Sequence, residues 1–406
     1  MRHVLAFAVS LGLAPAFAQV VTPISCAVAS PSPTLVRLNG ASELAGDVVA
    51  TCTGGDPSVA SLVNITLFLN VDATPRITNT STSETETLLL IDEPQASLPN
   101  SSNGCPYVGQ VLGTLGGAAC GNGNVFQGTV TNLNNIVQWI GVPFVPPGAG
   151  TRVLRFSNIR GDAALLGAPP ANVMQAVVAV SGSLSVSVTG APVDIAFANL
   201  GLKFTTATPV GAVGAIDLNF AELFPTAFKK RIENTLGGPL TAVRQDIPGH
   251  FYCTESGFIP QFSPTTPNAI GSATTGTRLL ADFAGLPPSV FFLIVPNEVT
   301  SSSGALIAHR VFPPLGSDFA GGFLPIVAGF SIAPVSATHT AEVLYEVTAN
   351  SPFQGVNGCG AIESFNIPVF SVFPTSLAPA TITGRLAPID PNRFASATSP
   401  EPRFLP

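Results

Sequence analysis

The sequence predicts an all-β protein with two consecutive β-sandwich domains of immunoglobulin-like type and one short helix between them. Three observations support this prediction. Glycine and proline, 39 and 38 of 406 residues, are scattered evenly along the chain. Between them lie short runs of β-branched and aromatic residues, a pattern typical of sandwiches and barrels. The length is sufficient for two domains of about 100–200 residues, each with its own core.

The first domain is predicted over residues 19–200. In the segment LVNITLFLN, alternation places Val63, Ile65, Leu67 and Leu69 on one face, as in a half-buried strand. The strands predicted in this domain are Asp47–Cys52, Leu62–Asn70, Thr87–Asp92, Asn124–Val130, Val137–Val142, Arg152–Ile159, Val173–Val180, Leu184–Val188 and Val193–Phe197.

The second domain is predicted over residues 201–390, with the short helix at Phe220–Ile232, interrupted by Pro225, next to the boundary. Its predicted strands are His250–Glu255, Arg278–Phe283, Val290–Val295, Leu306–Phe312, Gly322–Ile332, Ala341–Ala349, Phe365–Phe373 and Ala380–Ala387. Residues 391–406, PNRFASATSPEPRFLP, are rich in proline and lack periodicity, which predicts an extended C-terminal tail.

The N-terminus has the pattern of a secretory signal peptide, residues 1–18. Arg2 and His3 precede an apolar run that ends at Leu13, and the small residues Ala16-Phe17-Ala18 suit a cleavage site. This run is too short to span a bilayer, and no later stretch approaches the roughly 20 apolar residues that a membrane helix needs. We therefore expect a protein without a transmembrane segment that is secreted and lies outside the cell or at its surface.

An even number of cysteines in an exported chain predicts disulfides. The six are Cys26, Cys52, Cys105, Cys120, Cys253 and Cys359. If each domain folds alone, Cys253 pairs with Cys359. Proximity favours Cys26–Cys52 and Cys105–Cys120, although the connectivity within the first domain stays open.

Charge is scarce in this chain. Charged residues make up 10% of it, against about 25% in an ordinary soluble protein. The net charge is −7, and lysine is limited to Lys203, Lys229 and Lys230. Such a composition provides no basic surface for nucleic acid or anionic lipid.

The segment GHFYCTESGF brings His250, Cys253 and Glu255 close together in sequence and raises the question of an active site. In a strand, His250 and Cys253 point to opposite faces and cannot form a nucleophile–base pair. We interpret the segment as a strand held by a disulfide.

Carboxylates crowd in SETETLLLIDEP, where Glu84, Glu86, Asp92 and Glu93 raise the possibility of a glycosidase pair or a calcium site. The run reads better as a solvated hairpin edge. Lys229, Lys230 and Arg231 are interpreted as a solvated face of the short helix, with docking between domains or subunits as the alternative. Trp139 is interpreted as a core residue.

Motifs for metal, phosphate or nucleophilic chemistry are missing from the sequence. The histidines after the leader, His250, His309 and His339, are widely spaced, and the Gly-rich loop LGTLGGAACGNGN lacks the lysine of a phosphate-binding loop. We predict no catalytic residue, no cofactor and no metal site, and therefore no enzyme.

Several segments, taken in order, resemble a family of secreted acidobacterial proteins that occur as many paralogues. They are ELAGDVVATCTGG, LLLIDEP, NVFQGTV, TRVLRFSNIRG, TESGF, TGTRL, ITGRLAP and the terminal PRF. The resemblance implies a bacterial extracellular protein of two β domains and brings no catalytic residues.

The expected function is that of a non-catalytic, self-assembling subunit of a filament, sheath or surface coat, with copies of itself as partners. Its charge-free, strand-like runs SVFFLIVP, LPIVAGFSI and FNIPVFSVFP would be a solubility liability in a lone monomer unless they were buried. The tail after Ile389 or the segment Gln19–Leu35 is expected to add a strand to a neighbouring copy. The alternative is a secreted adhesin that binds carbohydrate or a cell surface.

Overall fold

A computed structural model describes residues 22–92, 125–131, 134–230, 248–250, 253–258, 270–271, 273–324, 328–349, 361–372, 376–377 and 380–388. The predictions that fall outside these residues are those on the signal peptide, the Gly-rich loop, Glu93, Arg231, Cys105, Cys120, Cys359 and the tail 391–406.

The described part of the chain is all-β, as predicted, and contains no helix of seven or more residues. The strands of the first half are β1 (Ile24–Ala29), β2 (Thr34–Arg37), β3 (Glu43–Leu44), β4 (Val48–Gly54), β5 (Ser61–Leu69), β6 (Ile77–Asn79), β7 (Glu84–Ile91), β8 (Val125–Val130), β9 (Ile136–Phe144), β10 (Gly148–Ser157), β11 (Arg160–Gly161), β12 (Val173–Gly182), β13 (Val186–Thr189) and β14 (Val193–Asn199). One 3₁₀ turn, Ala163–Leu165, interrupts them.

One curled sheet holds most of these strands, in the order β13-β1-β4-β10-β7-β8-β9-β5-β12-β14-β2, with β6 beside β7. The predicted sandwich of two sheets is not confirmed for this half. The segment expected as a possible connector, Gln19–Leu35, enters this sheet from Ile24 onward, because β1 pairs with β4 and β13, and β2 pairs with β14. That part of the prediction is wrong, since its backbone is already hydrogen-bonded within its own chain.

Alternation fixes the faces of this sheet. Val63, Ile65, Leu67 and Leu69 are all buried in β5, while its intervening residues are not, which confirms the prediction for this strand. Trp139 is also a core residue, as predicted: it is 1% exposed, donates its indole N–H to the carbonyl of Phe126 at 3.1 Å and packs on Phe156.

The strands of the second half are β15 (Leu202–Ala207), β16 (Ala215–Glu222), β17 (Arg278–Ala284), β18 (Phe292–Pro296), β19 (Glu298–Thr300), β20 (Leu306–Arg310), β21 (Phe312–Leu315), β22 (Gly321–Phe323), β23 (Phe330–Pro334), β24 (Thr340–Ala349), β25 (Ser364–Ser371) and β26 (Thr381–Ala387). They form two five-stranded sheets, β15-β16-β25-β18-β23 and β19-β20-β24-β17-β26, and a small ribbon of β21 and β22. Both five-stranded sheets contribute to one hydrophobic core, which is separate from the core of the first half.

The short helix predicted at Phe220–Ile232 is wrong over its described part. Phe220 and Glu222 belong to β16, and the chain then turns rather than coils. Two causes are visible. Pro225 disfavours a helix interior, and the Glu222 carboxylate accepts the backbone N–H of Phe228, which folds the turn back on the end of the strand.

The strand predicted at His250–Glu255 is also wrong in the described residues. Thr254 makes one isolated bridge to Lys230, and Thr254 Oγ1 donates to the carbonyl of Ser256 two residues later. Local side-chain bonds of this type compete with a regular ladder. The segment instead bends to bring Glu255 into contact with the first half.

The predicted disulfide between Cys26 and Cys52 is present. The two cysteines face each other across β1 and β4, with Cα atoms 3.9 Å apart, and both are buried. Cys253 is also disulfide-bonded, to a cysteine outside the described residues. Its pairing with Cys359, and that of Cys105 with Cys120, stay predictions.

Replacing both Cys26 and Cys52 by alanine should lower the free energy of unfolding by about 3 kcal/mol, because the bridge closes a loop over a sequence separation of 26. Denaturant unfolding of the oxidised variant and wild type measures the difference. A loss below about 1 kcal/mol would contradict a stabilising role for this bridge.

Candidate functional site

The two halves meet at a buried group of charged side chains, which we call the charged junction. It contains three basic and three acidic side chains, each no more than 7% exposed: Arg37, Arg160, Lys229, Glu43, Glu86 and Glu255. When all six are ionised, their charges sum to zero.

Arg37 lies at the centre of the charged junction and links both halves. Within the first half its guanidinium binds Glu43, with Nε and Nη2 each 2.7 Å from Oε1. From the second half, Oε1 of Glu255 lies 2.9 Å from Nη1, and the same Nη1 donates to the carbonyl of Ala227 at 3.1 Å. One side chain thus holds three chain segments together.

Thr277 completes this contact. Its hydroxyl accepts hydrogen bonds from Arg37 Nη1 and from the backbone N–H of Lys229, and it donates to Glu255 Oε1, all at 2.8 Å. A hydroxyl has one proton and two lone pairs, so all of its hydrogen-bonding capacity is used.

A second arginine joins the halves beside the first. Arg160 Nε donates to Glu86 Oε1 at 2.6 Å, and its Nη2 donates to the carbonyl of Glu255. The neighbouring Asn158 exchanges two hydrogen bonds with the backbone of Phe258, at 2.6 and 2.8 Å. The segment around Glu255 is therefore bound to the first half through both backbone and side chain.

Four of the segments on which the family resemblance rests converge at the charged junction. ELAGD supplies Glu43, SNIRG supplies Arg160, TESGF supplies Glu255 and TGTRL supplies Thr277. Glycine is required by close packing at two positions: a Cβ on Gly40 would lie 2.2 Å from Glu43 Oε1, and one on Gly257 would lie 2.2 Å from Asn158 Oδ1.

Electrostatics follow from burial and pairing. Burial lowers the pKa of Arg37, but the Glu255 and Glu43 carboxylates outweigh it and raise the pKa above its ordinary value. The pKa of Lys229 is lowered, first by burial and then by Arg37, against the opposing effect of Glu43. The guanidinium therefore holds its charge firmly, whereas the lysine ammonium is the weaker cation.

Glu222 lies at the second-half side of this region, and its carboxylate accepts backbone N–H groups from Phe228 and Glu363. Burial raises its pKa to about 7, in spite of these two donors. The nearby Glu363 carboxylate raises the pKa further, and the Arg37 charge lowers it. This acid therefore titrates near neutral pH.

Beside the charged junction is a small cleft whose wall includes Lys229, Asp47, Asn158 and His250. Its cavity volume of about 40 Å³ has room for only a few water molecules. His250 is exposed at this cleft, Cys253 is committed to a disulfide, and Glu255 is buried against Arg37. The three residues that raised the question of an active site thus have separate environments.

The acidic run does not form a glycosidase pair. Glu84 accepts a hydrogen bond from Asn79, whereas Glu86 is buried and paired with Arg160, so the solvated-edge interpretation is wrong for Glu86. Asp92 pairs with Arg152.

Lys229 and Lys230 are buried, so their assignment to a solvated helix face is wrong. The alternative, docking between domains, matches the position of Lys229.

The second candidate site is an exposed face of the sheet β15-β16-β25-β18-β23, which we call the apolar face. On β25, β18 and β23, buried residues such as Leu293, Ala333 and Val369 alternate with residues that point outward. The outward residues are apolar over most of this surface: Phe292, Ile294, Phe330, Ile332, Pro334, Pro368 and Phe370. The polar Ser364 and Asn366 lie at the start of β25, on the same side. Phe330 and Ile332 are 63% and 61% exposed.

Strand β23 forms an open edge of this face, because β18 is its one partner among the described strands. In an antiparallel pair, residues point their backbone groups alternately toward and away from the partner. The N–H of Val335 donates to the carbonyl of Phe291, so Phe330 and Ile332 direct their N–H and C=O groups away from β18.

No protein-family model matches the chain, and no curated protein matches its sequence. Across the described residues, no three His, Cys, Asp or Glu side chains are grouped as a metal ion would require, and no helix is long and apolar enough to cross a membrane. The resemblance to the acidobacterial family stays a prediction.

Arg37→Met should lower the free energy of unfolding by about 3–5 kcal/mol, because it leaves Glu43 and Glu255 buried without their shared cation. The matched control is Arg385→Met, which removes a half-exposed pair with Asp282 and should cost less than about 1 kcal/mol. Denaturant unfolding measures both. Equal losses would contradict a central role for Arg37.

The raised pKa of Glu222 predicts that the stability of the folded protein depends on pH. Its folded pKa of about 7 exceeds its ordinary value of 4.5, so the folded state binds this proton more tightly than the unfolded state. The tighter proton binding of the folded state adds roughly 3 kcal/mol to the free energy of unfolding. This addition is complete below pH 4.5 and is lost as the pH rises through 7. Unfolding of wild type and Glu222→Gln at pH 4.5 and pH 8 tests this, and the variant should lose less stability over that interval. The same pH dependence in both would refute it.

Proposed function

We propose that this protein is a secreted, non-catalytic structural subunit that assembles with copies of itself into an extracellular filament, sheath or coat. The observation that carries the proposal is the apolar face. The charge-free runs SVFFLIVP, LPIVAGFSI and FNIPVFSVFP overlap β18, β23 and β25, which are neighbours in one sheet. Their outward side chains form one continuous surface, and such surfaces mark interaction sites.

The distribution of charge also supports the proposal. The chain has 16 basic and 23 acidic residues. Within the described residues, 13 ionic side chains are buried, and six of these form the charged junction. The surface of this chain therefore has even fewer charged side chains than its low charged content of 10% indicates. Because surface charge keeps monomers apart, this exterior suits a protein whose surface is partly covered by neighbours.

Exposed apolar residues on the first half have different surroundings. On the outer side of β5, β9 and β12, Phe68 lies opposite the exposed Val177, and Leu62 and Ile140 are interleaved with the polar residues Asn64 and Thr66. Apolar residues scattered in this way are ordinary on protein surfaces. The contrast points to the second half as the part that assembles.

For the second half we also propose the immunoglobulin-like sandwich, on the basis of its two five-stranded sheets around one core. The disulfide between Cys26 and Cys52 suits an oxidising location outside the cell. The adhesin alternative is less well supported, because Trp139 and Tyr345, the Trp and Tyr in the described residues, are buried and offer no platform for sugars.

Electron microscopy of the mature protein, purified under oxidising conditions, should show regular fibres or sheets. Ile332→Glu places a charge on the edge strand of the apolar face and should abolish them, while Leu62→Glu, a matched exposed position on the first half, should not. Circular dichroism checks that both variants fold. Dispersed wild-type monomers at high concentration, or fibres of Ile332→Glu, would contradict the proposal.

A further inference from the structure

The open edge strand β23 requires a partner of defined type. We propose that it accepts the C-terminal segment of a second copy, residues 389–406, as an added strand. This inference rests on the proposed function and specifies the contact between subunits. Among the described residues, β23 offers the N–H and C=O groups of Phe330 and Ile332 and the C=O of Pro334 to an incoming strand.

The last described strand places the start of the tail at the side of the second half that lies away from β23. β26, which ends at Ala387, forms an edge of its sheet and lies close to β15, because Gly384 packs against the ring of Phe204. β23 forms the other edge of the facing sheet, next to β18, which continues directly into β19. Donor and acceptor therefore lie on opposite sides of the second half, four strand spacings or about 19 Å apart.

The chain beyond β26 is long enough for this contact. The 18 residues 389–406 reach about 60 Å when extended, at about 3.3 Å per residue. Within them, Asn392–Ser399 contains no proline and exceeds the five residues of β23. A strand needs its N–H groups to pair, so this proline-free stretch is the part that fits.

The side chains of this stretch also suit the position. In an extended strand, Phe394 shares one face with Ser396 and Thr398, and Ala395 shares the other with Ala397. Phe394 would extend the apolar face beside Phe330 and Ile332. The two alanines would point to the core side.

The two edges of the sheet β15-β16-β25-β18-β23 also differ in their side chains, and this difference gives the contact a direction. The sheet surface is apolar at β23 and β18, but toward β15 it carries Asp217, Asn219, Thr205 and Lys203. In each copy, β23 accepts the segment 389–406 of one neighbour, and the copy's own segment 389–406 binds β23 of another neighbour. A growing chain of copies therefore always has an unoccupied β23 at one end and an unbound segment 389–406 at the other. A contact of this kind does not close on itself and generates a filament.

Cysteine cross-linking between two different full-length chains tests the inference. One chain carries Ile332→Cys and the other, made longer by a tag, carries Phe394→Cys, Ser396→Cys or Thr398→Cys. Side chains opposite each other on neighbouring strands lie about 5 Å apart, so oxidation should yield the mixed dimer in at least tenfold excess over Leu62→Cys with the same tail variants.

Three results would overturn the inference: no mixed dimer above the Leu62→Cys control, cross-links only within one chain when both cysteines are on the same molecule, or a symmetric dimer of Ile332→Cys chains.

Deletion of residues 391–406 separates this inference from the proposed function. We expect a folded protein without fibres. Fibres of the truncated protein, together with their loss in Ile332→Glu, would reject the tail as connector and leave assembly through the apolar face standing.

Discussion

The buried guanidinium of Arg37 sets the constraint on which the meeting of the two halves depends. A charge removed from water must have partners, and those of Arg37, which itself lies on β2, come from the strand that begins at Glu43 and from the segments around Ala227, Glu255 and Thr277. All of these must reach their positions together. Buried ion pairs contribute little net stability, and a hydrophobic replacement can be as stable. We therefore infer that the role of this network is to fix the relative placement of the segments that meet there.

The fold could be predicted from the sequence where local pattern decides it. Alternation identified the buried face of β5, and cysteine proximity identified the bridge between Cys26 and Cys52. The charged junction could not be predicted in this way, because alternation says that a residue faces inward but not that its inner neighbours are charged. Arg37 and Glu255 are 218 positions apart, and no local rule links them. The wrong interpretations of Lys229 and Glu86 share this cause: each relied on nearby sequence, whereas burial at the junction decides the outcome.

The apolar face was only partly visible in the sequence. Three strand-like runs without charge could be recognised individually, but each is compatible with a strand buried on both sides. Only the pairing of β18 with both β23 and β25 shows that the outward residues of all three lie on one surface. Natural sheets protect such edges with charge. Here the outward residues of β18 and β23 carry no charge, whereas six of the chain's few ionic side chains are buried at the charged junction.

The two edges β23 and β26 both belong to the second half, and this has a mechanical consequence. In a chain of subunits joined through these edges, a pulling force would enter one sheet of the second half and leave through the other. The tension would cross their shared core without passing through the curled sheet of residues 24–199. The first half would lie outside the path of the force, bound to the second half through Arg37 and Arg160, and its loops could face outward. The backbone of the fibre and its displayed surface would then be separate parts of one molecule, each open to change without weakening the other.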